Sequence, residues 1–171
     1  MRRLPWQAGT AAVIVAVLGV AGLIRGNIAP STASAGDTGA SPIVVVNAFV
    51  RPPVPPSKEA AAYFTVYNTT AVADTLESVS TGAGAVAELH DYVNGVMTAI
   101  VGGVTVPAHG SLVLSVGKGH VMISKLFGAL KSGQTVNLEL VFANAGPVDV
   151  VAPVVAFGQP VPGSTSTAAA K

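Results

Sequence analysis

The sequence predicts an all-β domain, an antiparallel sandwich or Greek-key barrel of about nine short strands, preceded by one apolar N-terminal helix. Three observations predict it. Glycine and proline are frequent, 19 and 12 residues, which favours many short elements and turns over long helices. β-branched and aromatic segments recur with turn signals about every 8–12 residues. Thr135–Phe142 alternates with period two, Val136, Leu138, Leu140 and Phe142 pointing one way and Thr135, Asn137 and Glu139 the other.

Residues 1–25 read as a membrane-targeting segment. Met1-Arg2-Arg3 is a basic start, Trp6 suits the water–lipid interface, and Ala8 to Ile24 is uncharged and closed by Arg25. As a helix these 17 residues reach about 26 Å, near the lower limit for a hydrocarbon core of about 30 Å. The basic end favours the cytoplasm and sends the rest of the chain outside. Two fates fit: a retained anchor, or a signal peptide cleaved near Ala33-Ser34-Ala35. Residues 26–41, rich in Gly, Ala, Ser, Thr and Pro, read as a flexible linker, and residues 159–171 as a tail of the same kind.

Between them, residues 42–158 carry the strands. Ile43–Arg51 is β-branched and stops at Pro52-Pro53. Four prolines up to Pro56 keep the connection extended. Ala62–Asn68 places Tyr63, Thr65 and Tyr67 opposite Phe64 and Val66, and the two tyrosines read as packing residues. Thr75–Ser80 is the next strand. Val86–His90 and Val96–Val101 flank Asn94-Gly95, a hairpin signal. Val104–Val106 stops at Pro107, Ser111–Val116 at Gly117, and Val121–Lys125 follows. Leu126–Lys131 is expected to form one helical turn before Ser132-Gly133. Thr135–Phe142 and Val148–Phe157 close the domain around Asn144-Ala145-Gly146-Pro147.

Composition excludes several function classes. Only 10% of residues are charged, and the net charge of +1 hides an asymmetry. From Gly36 onward six Lys/Arg face eight Asp/Glu, a net of −2. No basic patch with interleaved aromatics exists, which argues against nucleic acid. The absence of cysteine removes blue-copper sites, iron–sulfur clusters, thiol redox chemistry and Cys-linked lipidation. No G-x-S-x-G or HExxH pattern supports a hydrolase.

The candidate chemistry lies in His and Met. His120-Val121-Met122 comes first, because residues i and i+2 of a strand share a face and can reach one ion. Imidazole with thioether, without carboxylate or thiolate, suits copper(I) better than zinc, calcium or magnesium. The same spacing also fits a core Met beside an edge His. His90 and Met97 flank the Asn94-Gly95 turn, where a hairpin brings them together. They equally fit a loop His and a core Met. His109, between Pro107-Ala108 and Gly110, reads as a solvated turn residue. Glu88, Asp91 and Lys118 lie near the candidate ligands in sequence and read as solvated charges.

In order along the chain, several stretches resemble the periplasmic copper chaperone family called PCuAC. They are Phe49-Val50-Arg51-Pro52; Ala61-Ala62-Tyr63-Phe64 with Asn68; Ala73-Asp74-Thr75-Leu76; Glu88-Leu89-His90; Gly95-Val96-Met97; Val106-Pro107-Ala108; His120-Val121-Met122; Leu130-Lys131 with Gly133; and the strands from Val136 to Val154. The resemblance covers about residues 43–155. It implies a cupredoxin-like β-fold and a copper(I) site at one end of the barrel, with His90, Met97, His120 and Met122 as ligands. It departs from the family in one place. The loop after His90 is shorter, and where a Met-x-Met pair is usual, Met97 fills the first position and Ala99 the second.

The resemblance further implies a carrier and not an enzyme. The chain would capture copper(I) outside the cytoplasm and pass it to a copper-accepting protein, such as a copper centre of a respiratory oxidase. The membrane would be a partner only through an uncleaved N-terminal segment. The competing reading is a membrane-anchored β-sandwich, an interaction or structural module without metal. It accounts for the strands and the export segment, but not for both non-initiator Met residues and two of three His at matching positions.

Overall fold

A computed structural model describes residues 41–164; the N-terminal helix and most of the linker expected from sequence lie outside them. Ten strands form, one more than the count of about nine. They are β1 (Ile43–Arg51), β2 (Ala60–Asn68), β3 (Asp74–Thr81), β4 (Gly84–Val93), β5 (Val96–Ala99), β6 (Val104–Val106), β7 (Ser111–Leu114), β8 (His120–Leu126), β9 (Thr135–Phe142) and β10 (Gly146–Pro153). The helical turn expected at Leu126–Lys131 does not form. Its backbone groups bond elsewhere: Phe127 N–H donates to Ala83 O at 3.0 Å, and Lys131 N–H to Gln134 Oε1 at 2.8 Å. No helix occurs among the described residues, so none there is long and apolar enough to cross a membrane.

The strands make two sheets. One runs β1-β2-β8-β4-β5, with β7 also on β2, and the other runs β10-β9-β3-β6. The ladders are antiparallel. A single parallel bridge, Val50 to Val154, links the two sheets. Phe64, Val121 and Ile123 of the first sheet and Leu76, Leu138 and Phe142 of the second are buried in one core. Each such side chain contributes about 1.5–3 kcal/mol by leaving water.

Two local features decide what faces where. Asn94 and Gly95 have φ of 52° and 80°, the doubly positive backbone of a type I′ turn, which matches the twist of β4 and β5. In β1 the register shifts between Val46 and Phe49, and Asn47 takes φ 55°. Before this bulge Ile43 and Val45 face the core. After it Ala48 and Val50 do, so Phe49 and Arg51 turn to the outer face.

Asp74 ties the start of β3 to the β9–β10 turn. It accepts backbone N–H bonds from Thr75 (2.7 Å), Asn144 (2.9 Å) and Ala145 (3.0 Å). Burial opposes its charge, but hydrogen bonds from Asn144, Thr75 and Ala145 outweigh it and hold the carboxyl below its ordinary 3.8.

Candidate metal centre

The register of β4, β5 and β8 brings the four candidate ligands onto one face. Leu89, Val121 and Ile123 point into the core, so their neighbours His90, His120 and Met122 point away from it. His90 stands directly opposite His120, Glu88 opposite Met122, Tyr92 opposite Met97, and His90 also opposite Ala99. Directly opposed side chains in an antiparallel pair start about 4.5–5.5 Å apart at Cβ. The two His therefore form one rung, flanked by Met122 on one side and by the Tyr92–Met97 rung on the other. The rings of His90 and His120 lie 5.8 Å apart between centroids.

A depression of about 250 Å³ opens on this face. Met97, His120 and Met122 line it together with Tyr63, Tyr92, Val116, Ser57 and Glu59. His90 is not part of its wall. It sits beside His120, 7% exposed, and its Nδ1 is buried without a hydrogen-bond partner. An orphaned ring nitrogen of this kind is a group that a bound ion could satisfy. Met97 is the most accessible of the four at 48% exposure.

His120 has its tautomer set by the backbone. Its Nδ1 lies 3.3 Å from Lys118 O, and since a carbonyl can only accept, the ring donates from Nδ1 and keeps a lone pair on Nε2. Tyr63 and Tyr92 flank this ring, each with centroid 6.1 Å away. Tyr63 stacks in turn on Phe49 at 5.0 Å, and the Arg51 guanidinium lies over Phe49 and Phe157 at 5.4 and 5.3 Å. Arg51 also donates to Val155 O and Ala156 O, so the chain after β10 is strapped to the same row. Burial pushes the Tyr63 phenol above its ordinary 10.0; Tyr92 adds to this and Arg51 opposes it. The phenol therefore stays neutral at physiological pH.

Chemically this is a set of two borderline donors, the imidazoles, and two soft ones, the thioethers. Among the described residues no three His, Cys, Asp or Glu side chains converge. A zinc-type N/O/S site is thus incomplete here, whereas thioether with imidazole is the softer set that copper(I) accepts.

The remaining sequence candidates lie apart or play other parts. His109 occupies the exposed Pro107–Gly110 turn with φ 49° and donates its N–H to Thr70 O at 2.9 Å, away from the other two His. Asp91 accepts Tyr92 N–H at 2.7 Å, while Lys118 supplies the carbonyl that orients His120. Tyr63 is buried as a packing residue should be, but Tyr67, expected to pack with it, is 47% exposed. Sequence reasoning missed Tyr92, Val116, Ser57 and Glu59 as cavity residues. Tyr92 alone carried a signal, since it shares strand parity with His90. Ser57 and Glu59 follow the proline-rich connection, and only the path of that connection brings them over the sheet.

Comparisons with known proteins bear on the fold that carries this face. The family model LpqE-like, whose description names a lipoprotein, matches residues 43–154. No curated protein matches the sequence. Among solved structures, the solution structure of copper(I)-bound DR1885 from Deinococcus radiodurans is similar with a TM-score of 0.58 and 28% identity, covering 74% of this chain and 86% of that one. The copper-bound PCuAC domain from PmoF2 is similar with a TM-score of 0.59 and 20% identity, covering 69% and 96%. The apo PCuAC domain from PmoF1 gives 0.59 and 23%, covering 67% and 94%. The two-sheet fold is therefore that of PCuAC domains.

Proposed function

The chain belongs to the LpqE-like family, and from that premise we propose that its domain is a copper(I)-binding chaperone acting outside the cytoplasm. The observation that carries this reading is the shared face of His90, Met97, His120 and Met122, three of which line one open depression. The similarity to copper-bound PCuAC domains supports it. His120 Nε2, Met122 and Met97 reach the ion from the cavity wall, and His90 completes the set from beside them.

The role is transport of the ion and not its chemistry. A site of soft donors at an open depression, with Met97 accessible at its edge, lets an acceptor's ligand displace the chaperone's own ligands one at a time. A cysteine-free site also suits an oxidising compartment, where paired thiols form disulfides. The recipient is a copper-accepting protein, of which a respiratory oxidase copper centre is one example. The family description names a lipoprotein, yet none of the 171 residues is a cysteine able to carry the lipid. In this reading the apolar stretch at residues 8–24 exports or tethers the domain, and residues 26–41 act as its linker.

Competition against a copper(I) chelator tests the reading on the domain from about Gly36. One copper(I) per chain is expected, and the His120→Ala/Met122→Ala double variant should bind at least about 100-fold more weakly. If wild type and double variant compete equally poorly, the chaperone reading fails and a β-sandwich module without metal takes its place.

A further inference from the structure

We propose that Tyr92 belongs to the metal site, its ring face closing over copper(I) held by Met97, His120 and Met122. This rests on the copper(I) reading above and adds a residue to it. Tyr92 lines the depression with those three ligands and stands directly opposite Met97 across the β4–β5 ladder. Its ring is tilted 39° to that of His120, with 6.1 Å between centroids. It is 46% exposed, so it sits at the mouth of the depression and not beneath it.

The donor set explains why a ring is needed there. The four ligands bring no charge of their own; the carboxylates on this face, Glu59 on the cavity wall and Glu88 opposite Met122, are not among the donors. An aromatic ring presents the negative face of its quadrupole and attracts a cation within about 6 Å of its centroid. Tyr92 also stands across the ladder from Met97, and thioethers favour aromatic neighbours. One flank of the site is short of donors, because the residue opposite His90 on β5 is Ala99. Tyr92 is the next residue on that face of β4. The phenol forms no hydrogen bond among the described residues, so no such bond holds it in another role. A ring in this position would shield the ion from water and oxidant while the thioethers hold it.

Three variants of the full chain test this: Tyr92→Leu, Tyr92→Gln and Tyr92→Phe. Copper(I) affinity by chelator competition and the rate at which the bound ion oxidises in air are the two readouts. A cation–π contact predicts that Tyr92→Leu and Tyr92→Gln bind about 2- to 30-fold more weakly and oxidise faster, and that Tyr92→Phe restores both properties. If Tyr92→Phe is as weak as Tyr92→Leu, the phenol oxygen is what matters and the ring-face proposal is overturned. If all three match wild type, Tyr92 takes no part and the proposal is likewise overturned. Wild type that binds no copper(I) would instead sink the chaperone reading beneath it.

Discussion

His120 is prepared for the role proposed for it by one bond, from Nδ1–H to Lys118 O, which leaves Nε2 as the free donor. Met97 is prepared by the opposite circumstance, a thioether left 48% exposed at a sheet edge. An exposed Met contributes little to the core, so its loss should be felt in binding and not in folding. Met97→Leu is expected to weaken copper(I) binding about tenfold and to change stability by no more than about 0.5 kcal/mol, as read by chelator competition and denaturant titration. If binding is unchanged, the site holds its ion with His90, His120 and Met122 alone. Ala99 matters in the same comparison, because it leaves Met97 as the sole thioether on β5.

At the scale of elements, the proposed site depends on β4 and β8 pairing as far as the His90–His120 rung. Gly119 precedes that last rung. A Cβ there would lie 2.9 Å from Leu114 Cδ2, the end of a side chain on β7, and 3.4 Å from His90 O, an ordinary contact. Gly119→Ala should therefore be absorbed by a shift of the Leu114 side chain and leave the rung in place. The expected cost is about 1 kcal/mol or less by denaturation, with copper(I) binding kept. Lost binding in that variant would show that the rung depends on close approach at Gly119. The Asn94-Gly95 turn acts at the same scale, since its positive φ values set which β5 residues meet Tyr92 and His90.

Across the whole molecule, Asp74 couples the second sheet's turn to its middle strand, with three backbone donors on one carboxylate. Its folded-state pKa lies below the ordinary 3.8. The unfolded chain then binds more protons in acid, so stability rises with pH through that window. The contribution is complete above about pH 4 and is lost as pH falls through the depressed folded value. Asp74→Asn should flatten the acid limb of the stability–pH profile below about pH 4, measured by thermal melting across pH. An unchanged acid limb would place the acid sensitivity in other carboxylates. The face proposed to bind metal lies on the other sheet, so this variant should still bind copper(I).

How far the sequence reaches depends on how local the cause is. Strands such as Thr135–Phe142 follow from period-two alternation, and the Asn-Gly hairpin from backbone freedom at two residues, so both are read without tertiary knowledge. His120 and Met122 sharing a face follows from strand parity, and the absence of cysteine from composition. The rest depends on partners distant in the chain. That His90 meets His120 is a matter of register between strands some 30 residues apart. That Phe49 and Arg51 turn outward depends on a bulge at Asn47, which reverses the alternation of β1 midway. That Ser57 and Glu59 reach the cavity depends on the path of a proline-rich loop. The sequence by itself determined most strands, the faces of those that alternate without a bulge, and the donor types on hand, because these are set within a few residues. Only the tertiary structure decided which faces meet and which aromatic residues surround His120, because cross-strand register and bulges arise from packing two sheets around one core.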